Sequence, residues 1–109
     1  MSDKRLFKRI KINLPISICF EGETYSARTE DISATGFFIK TPKVFAPGSM
    51  LDISIKGAAN DIEVSCRVVW ARKVPSNLFH LANKNGMGVL IVDFKKGEEN
   101  YQQFIHKKP

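Results

Sequence analysis

Hydrophobic and polar residues along this chain mostly alternate with a period of two, the signature of half-buried strands. Ile12, Leu14, Ile16, Ile18 and Phe20 alternate with Asn13, Pro15, Ser17 and Cys19, which predicts a first strand over 12–20. Pro15, on the polar parity, cannot donate to a ladder and places that strand at an edge. Glu21-Gly22-Glu23 turns the chain into a second strand near Thr24–Glu30. A third is predicted at Phe37–Lys40, with Phe37, Phe38 and Ile39 going into the core, and Thr41-Pro42 stops it. Ala46-Pro47-Gly48-Ser49 marks a turn before Leu51, Ile53 and Ile55, and Gly57 to Asp61 marks another before Ile62, Val64, Cys66, Val68 and Trp70. A polar loop over Pro75–Asn85 precedes a last strand over Gly86–Phe94. Six short strands with turns at this spacing predict an all-β small barrel or sandwich.

The tail changes period. Tyr101, Phe104 and Ile105 recur at helical spacing after Glu98 and Glu99, and His106, Lys107 and Lys108 follow. Acid first and base last suits the helix dipole, so a short C-terminal helix is predicted over about 96–106, packing one apolar face on the barrel.

At 109 residues the chain has one domain's length, and 43% hydrophobic with 26% charged residues is ordinary globular composition. The formal charge of +6 is concentrated. Residues 1–11 carry Lys4, Arg5, Lys8, Arg9 and Lys11 against Asp3, whereas 12–106 hold ten basic and ten acidic residues. The chain therefore divides into a basic arm over 1–11 and a neutral domain over 12–109, and such an arm suits a polyanion or an anionic ligand. A neutral body does not suit broad contact with DNA or RNA.

No apolar run is long enough to span a membrane, and the charged start has no apolar stretch behind it, which points away from a secretory signal. Two cysteines make no disulfide framework, so reduced thiols in a cytoplasm are expected. Cys19 and Cys66 lie inside strand patterns, where cysteine is usually a small packed hydrophobe. His80 and His106 have no neighbours at metal-ligand spacing, and no nucleophile elbow or phosphate-cradling loop is present. No metal, no cofactor and no enzymatic activity are expected.

Two groups of residues carry chemistry. Arg5-Leu6-Phe7-Lys8-Arg9 is an R-x-x-x-R within the arm, and Asp31-Ile32-Ser33-Ala34-Thr35-Gly36 is a D-x-S-x-x-G between the second and third strands. Apart, they read as a solvated charge run and an ordinary turn, with glycine supplying positive φ. Together, at the head of a six-stranded barrel, the chain resembles the PilZ domain family, bacterial receptors for cyclic di-GMP. The resemblance runs from about Lys4 to Phe94 and includes Leu14-Pro15, Pro47-Gly48, Val68-Val69-Trp70 and Gly86-Met87-Gly88-Val89.

The resemblance implies a six-stranded antiparallel barrel of the split-barrel type with a C-terminal helix, binding cyclic di-GMP on its outer surface. Arg5 and Arg9 would clamp the ligand, with Asp31, Ser33 and Gly36 as the facing wall. An arginine fork can bond guanine O6 and N7 or a phosphate, and its plane can stack on a purine. Asp31 can accept from guanine N1–H and N2–H₂, and glycine permits close approach of ligand to backbone. Lys4 and Lys8 are secondary candidates, as are Trp70 and Arg72. Parity puts Trp70 with Val68 on the core side, and a stacking surface is its alternative role. The residue before the first motif arginine influences binding mode in this family; here it is Lys4, basic but without a fork. A receptor of this kind signals through an effector protein, by ordering its arm over the ligand; motility, pilus assembly and exopolysaccharide synthesis are the outputs the family suggests. The rival readings are a single-stranded nucleic-acid barrel using Gly36 to Lys40 as an aromatic platform, and a PilZ-like adaptor that binds no nucleotide.

Overall fold

The computed structural model describes residues 9–56, 61–73 and 85–106. Among these the strands are β1 (Ile10–Lys11), β2 (Pro15–Phe20), β3 (Glu23–Ile32), β4 (Gly36–Lys40), β5 (Met50–Ile55), β6 (Ile62–Arg72) and β7 (Gly86–Lys96), followed by helix α1 (Glu98–His106). All described pairings are antiparallel, in the order β3-β2-β5-β6-β7-β4, and a further β4–β3 pairing closes a six-stranded barrel. Among the described residues no helix is long and apolar enough to cross a membrane.

The alternation sorts side chains as expected: Leu14, Ile16 and Ile18, Leu51, Ile53 and Ile55, and Ile62, Val64, Cys66 and Val68 all fill the interior. The β2–β3 hairpin turns at Glu21 (φ 52°) and Gly22 (φ 82°). Two successive positive φ values match the twist of a two-residue hairpin, and glycine takes one of them without steric cost. Helix α1 starts at Glu98, two residues later than predicted, and buries Tyr101 and Ile105 on the barrel.

The strand predicted over 12–20 begins only at Pro15, and a separate two-residue strand precedes it at the end of the basic arm. Ile10 and Lys11, the end of the basic arm, pair with Ile32 and Asp31 of β3, while β2 pairs with the earlier half of β3. Between them the chain bends around buried Thr29. The Thr29 hydroxyl donates to the Ile12 carbonyl (2.7 Å) and accepts from the Leu14 N–H (2.9 Å). The Thr29 N–H adds a bond to the Leu14 carbonyl (3.0 Å). This staple fixes the root of the arm against β3.

Pro15 does not mark an edge. β2 lies between β3 and β5, and Pro15 is its first residue, where a missing donor is tolerated. Cys19 is exposed and only Cys66 is packed, because Cys19 faces outward opposite Thr24 and Asp52. The turn at 57–60 and the loop over 75–84, with His80, lie outside the described residues.

Candidate functional site

Trp70 does not follow its parity. The β6–β7 register shifts between Val68 and Trp70, so one extra residue enters β6 there. Val69 and Trp70 both end up outside, at 49% and 42% exposure, while Val68 stays in the core. A bulge re-aims a side chain in this way, and no alternation rule foresees it. Phe38 is likewise outward: Phe37 and Ile39 are buried on either side of it.

These two outward rings meet over β7. Phe38 and Trp70 are both cross-strand partners of Gly88, and they stack with centroids 5.1 Å apart and planes 15° from parallel. A Cβ on Gly88 would collide with the indole Nε1 and lie 2.7 Å from Cε2; one on Gly86 would lie 2.5 Å from Phe38 Cζ. The bare backbone of β7 is therefore the floor on which the aromatic pair rests. The Arg72 guanidinium sits 5.6 Å from the Trp70 ring centre, a cation–π contact at the end of the stack.

The second wall comes from β1 and β3. Because Lys11 pairs with Asp31, the arm residue Arg9 falls beside the Asp31 carboxylate and donates a hydrogen bond to it from Nη2. The Arg9 side chain is 55% exposed and that of Asp31 21%, so both still face solvent. Arg9, Glu30, Asp31, Phe38, Lys40, Trp70 and Arg72 together line an open cleft of about 480 Å³. Three cations against two carboxylates leave an excess positive charge beside a flat aromatic face. Forked cations suit phosphate, the aromatic face suits a purine, and a carboxylate suits the donors of a guanine edge.

Ser33 and Gly36 stand differently. They line a smaller depression of about 170 Å³ next to the cleft, which shares Arg9 and Trp70 with it. Both are buried. The Ser33 N–H and hydroxyl both donate to the Gly36 carbonyl, at 2.8 Å and 3.2 Å, and Ser33 Oγ lies 3.4 Å from the Thr35 N–H. Serine closes the loop on itself. Gly36 has no positive φ, contrary to the turn reading of the motif. A Cβ there would collide with the Val89 carbonyl oxygen and lie 3.1–3.2 Å from the Val89 carbonyl carbon and the Leu90 Cα. Glycine is required here because β7 passes this close.

The structure thus brings Arg9, Asp31, Trp70 and Arg72 to one cleft and puts Ser33 and Gly36 at its border. Arg5, Lys4 and Lys8 lie outside the described residues. Glu30 joins the lining without having been singled out in the sequence, and Phe38 and Lys40, named there only within the rival aromatic platform, join it too; the alternation of β4 around buried Phe37 and Ile39 is the signal that could have turned Phe38, expected in the core, outward with Lys40. Among the described residues no group of three metal-ligating side chains comes together.

A family model for the PilZ domain matches residues 3–102. No curated protein matches the chain in sequence. Among solved structures, the Bacillus subtilis inhibitor of motility (MotI/DgrA) is similar with a TM-score of 0.70 at 19% identity, over 91% of this chain and 47% of that one. This chain thus spans about half the length of that protein. The PilZ domain of CeSA from a cellulose-synthesizing bacterium is similar with a TM-score of 0.63 at 16% identity, over 90% of this chain and 94% of the other.

Proposed function

The chain belongs to the PilZ domain family, and on that premise we propose that its cleft binds cyclic di-GMP and that the protein is a receptor and adaptor rather than an enzyme. The observation that carries the proposal is the convergence of Arg9, Asp31, Trp70 and Arg72 from three separate parts of the chain on one open cleft. In this reading Arg9, joined by Arg5, takes phosphate or the guanine O6/N7 edge. Asp31 accepts from the guanine N1–H and N2–H₂ donors. Trp70, held flat on Gly88, stacks on a base, and Arg72 and Lys40 neutralise phosphate. Ser33 and Gly36 give the loop its shape.

The arm supplies the signal. Residues 1–11 carry a net charge of +4 before a neutral barrel, and like charges at that spacing repel. A ligand with two phosphates removes the repulsion and draws the arm, rooted at Ile10–Lys11, over the cleft. An effector protein then reads the closed form, in the cytoplasm; which effector is a matter of partner chemistry beyond the cleft. Intact Arg9 and Asp31 weigh against an adaptor that binds no nucleotide. The single outward ring on β4 weighs against an aromatic platform for single strands.

Calorimetric titration with cyclic di-GMP, cyclic di-AMP and a single-stranded oligonucleotide tests the proposal. Saturable heat with cyclic di-GMP, and much weaker or none with the other two, is expected. Binding of the oligonucleotide in its place overturns the reading.

A further inference from the structure

The Asp31–Gly36 loop is held from both sides. In front, Asp31 accepts from Arg9 at the cleft. Behind, the Tyr101 hydroxyl of α1 donates to the Ser33 carbonyl at 2.5 Å and lies 3.3 Å from the Gly36 carbonyl. The Gly36 carbonyl is the same oxygen that Ser33 uses to close the loop. The Ile91 N–H secures the intervening residue by donating to the Thr35 carbonyl (2.8 Å). Every described residue of the turn from Ser33 to Gly36, except Ala34, is therefore tied to the barrel or the helix through its backbone.

Tyr101 is fixed where it can do this. It is fully buried, with its ring 5.4 Å from Phe94 and 6.4 Å from Phe37. Burial raises the phenol above its ordinary range, so it keeps its proton and remains a donor at working pH. The ring contacts hold the helix on the barrel, and the hydroxyl alone addresses the loop. Removing the hydroxyl leaves the packing in place.

We propose that Tyr101 is a positioning residue for the ligand cleft, and that through it the docking of α1 and the occupancy of the cleft are coupled. The inference rests on the cyclic di-GMP reading above. A loop held in its binding shape by Tyr101 favours ligand, and by linkage bound ligand must favour the docked helix to the same degree. The C-terminal helix, on the far side of the motif loop from the ligand, then senses binding without touching it.

The test uses the full chain as wild type, Tyr101→Phe and Ile53→Val, the last a core truncation in β5 away from the loop. Each is titrated with cyclic di-GMP, its melting temperature is measured, and amide exchange of residues 98–106 is followed with and without saturating ligand. In the wild type, ligand should slow exchange in α1. Tyr101→Phe should bind about five- to tenfold more weakly, the equivalent of one hydrogen bond, and its α1 should gain less protection at saturation. Ile53→Val should lower the melting temperature and keep wild-type affinity. Wild-type affinity and wild-type protection in Tyr101→Phe overturn the coupling, as does an equal loss of affinity in Ile53→Val. A wild type that takes no cyclic di-GMP overturns the receptor reading, and the coupling falls with it.

Discussion

Replacing Gly36 by alanine separates two roles that a motif glycine can have. The added Cβ would collide with the Val89 carbonyl oxygen, with two further backbone atoms of Val89 and Leu90 at 3.1–3.2 Å. Backbone cannot swing aside as a side chain can, so β4 and β7 must part at the Gly36–Leu90 pair. Overpacking of this kind costs about 1–3 kcal/mol. The Gly36 carbonyl also accepts from Ser33, and a shift that breaks one of these bonds adds about 1 kcal/mol. Against this, alanine restricts the unfolded chain and returns about 0.4–1 kcal/mol. The net loss is about 1–3 kcal/mol, which in a domain this small lowers the melting temperature by roughly 5–20 °C. Circular dichroism of the ligand-free protein measures it. An unchanged melting temperature, combined with lost cyclic di-GMP binding, would refute the steric argument and return Gly36 to the ligand.

Arg9→Ala should weaken cyclic di-GMP by about tenfold or more, since a charge-assisted bond contributes about 1.5–3 kcal/mol, while the melting temperature barely moves because an exposed ion pair is worth about 0–1 kcal/mol; calorimetry and thermal unfolding give both numbers. Asp31→Ala should cost cyclic di-GMP more than cyclic di-AMP, because only guanine offers paired N1–H and N2–H₂ donors; equal losses would make Asp31 a shaper of the loop. Among the thiols, burial pushes Cys66 up to about 12 whereas Cys19 is exposed, so a thiol reagent at pH 8 should modify one cysteine in the folded protein and both after unfolding. The unfolded Cys66 thiol ionises near its ordinary value of about 8.5. Its contribution to stability is therefore full below that pH and declines as pH rises towards 12; urea unfolding across this window should show the decline, and Cys66→Ala should flatten it.

Most of the barrel was legible because burial on one face enforces a period of two, and a slip of one residue would turn every core side chain to solvent. The misreadings fall where another constraint overrides the period. The bulge after Val68 carries Trp70 out of the core, and nothing in the spacing of apolar residues encodes an inserted residue. Pro15 was legible as a residue without a donor, but a first position in a central strand satisfies that as well as an edge does. Of the site, Arg9 and Asp31 were readable because their chemistry and spacing are particular. The glycine at 36 and the serine at 33 were readable as a motif but not as packing, since the strand that Gly36 crowds, β7, and the helix hydroxyl that meets the Ser33 carbonyl, Tyr101, both lie more than fifty residues away in sequence. Tyr101 was legible as one member of an apolar helix face; which backbone its hydroxyl would reach depends on how that helix docks.

The chain has one tryptophan, and the structure puts it in the cleft, stacked on Phe38 and 42% exposed. Its intrinsic fluorescence therefore reports on the site without a label, and a titration with cyclic di-GMP alongside cyclic di-AMP tests the binding claim where it is made. A saturable change with cyclic di-GMP, strongly weakened in Arg9→Ala and small with cyclic di-AMP, is the expected result. Fluorescence that stays flat up to ligand concentrations in large excess of the protein, in the folded wild type, would contradict it.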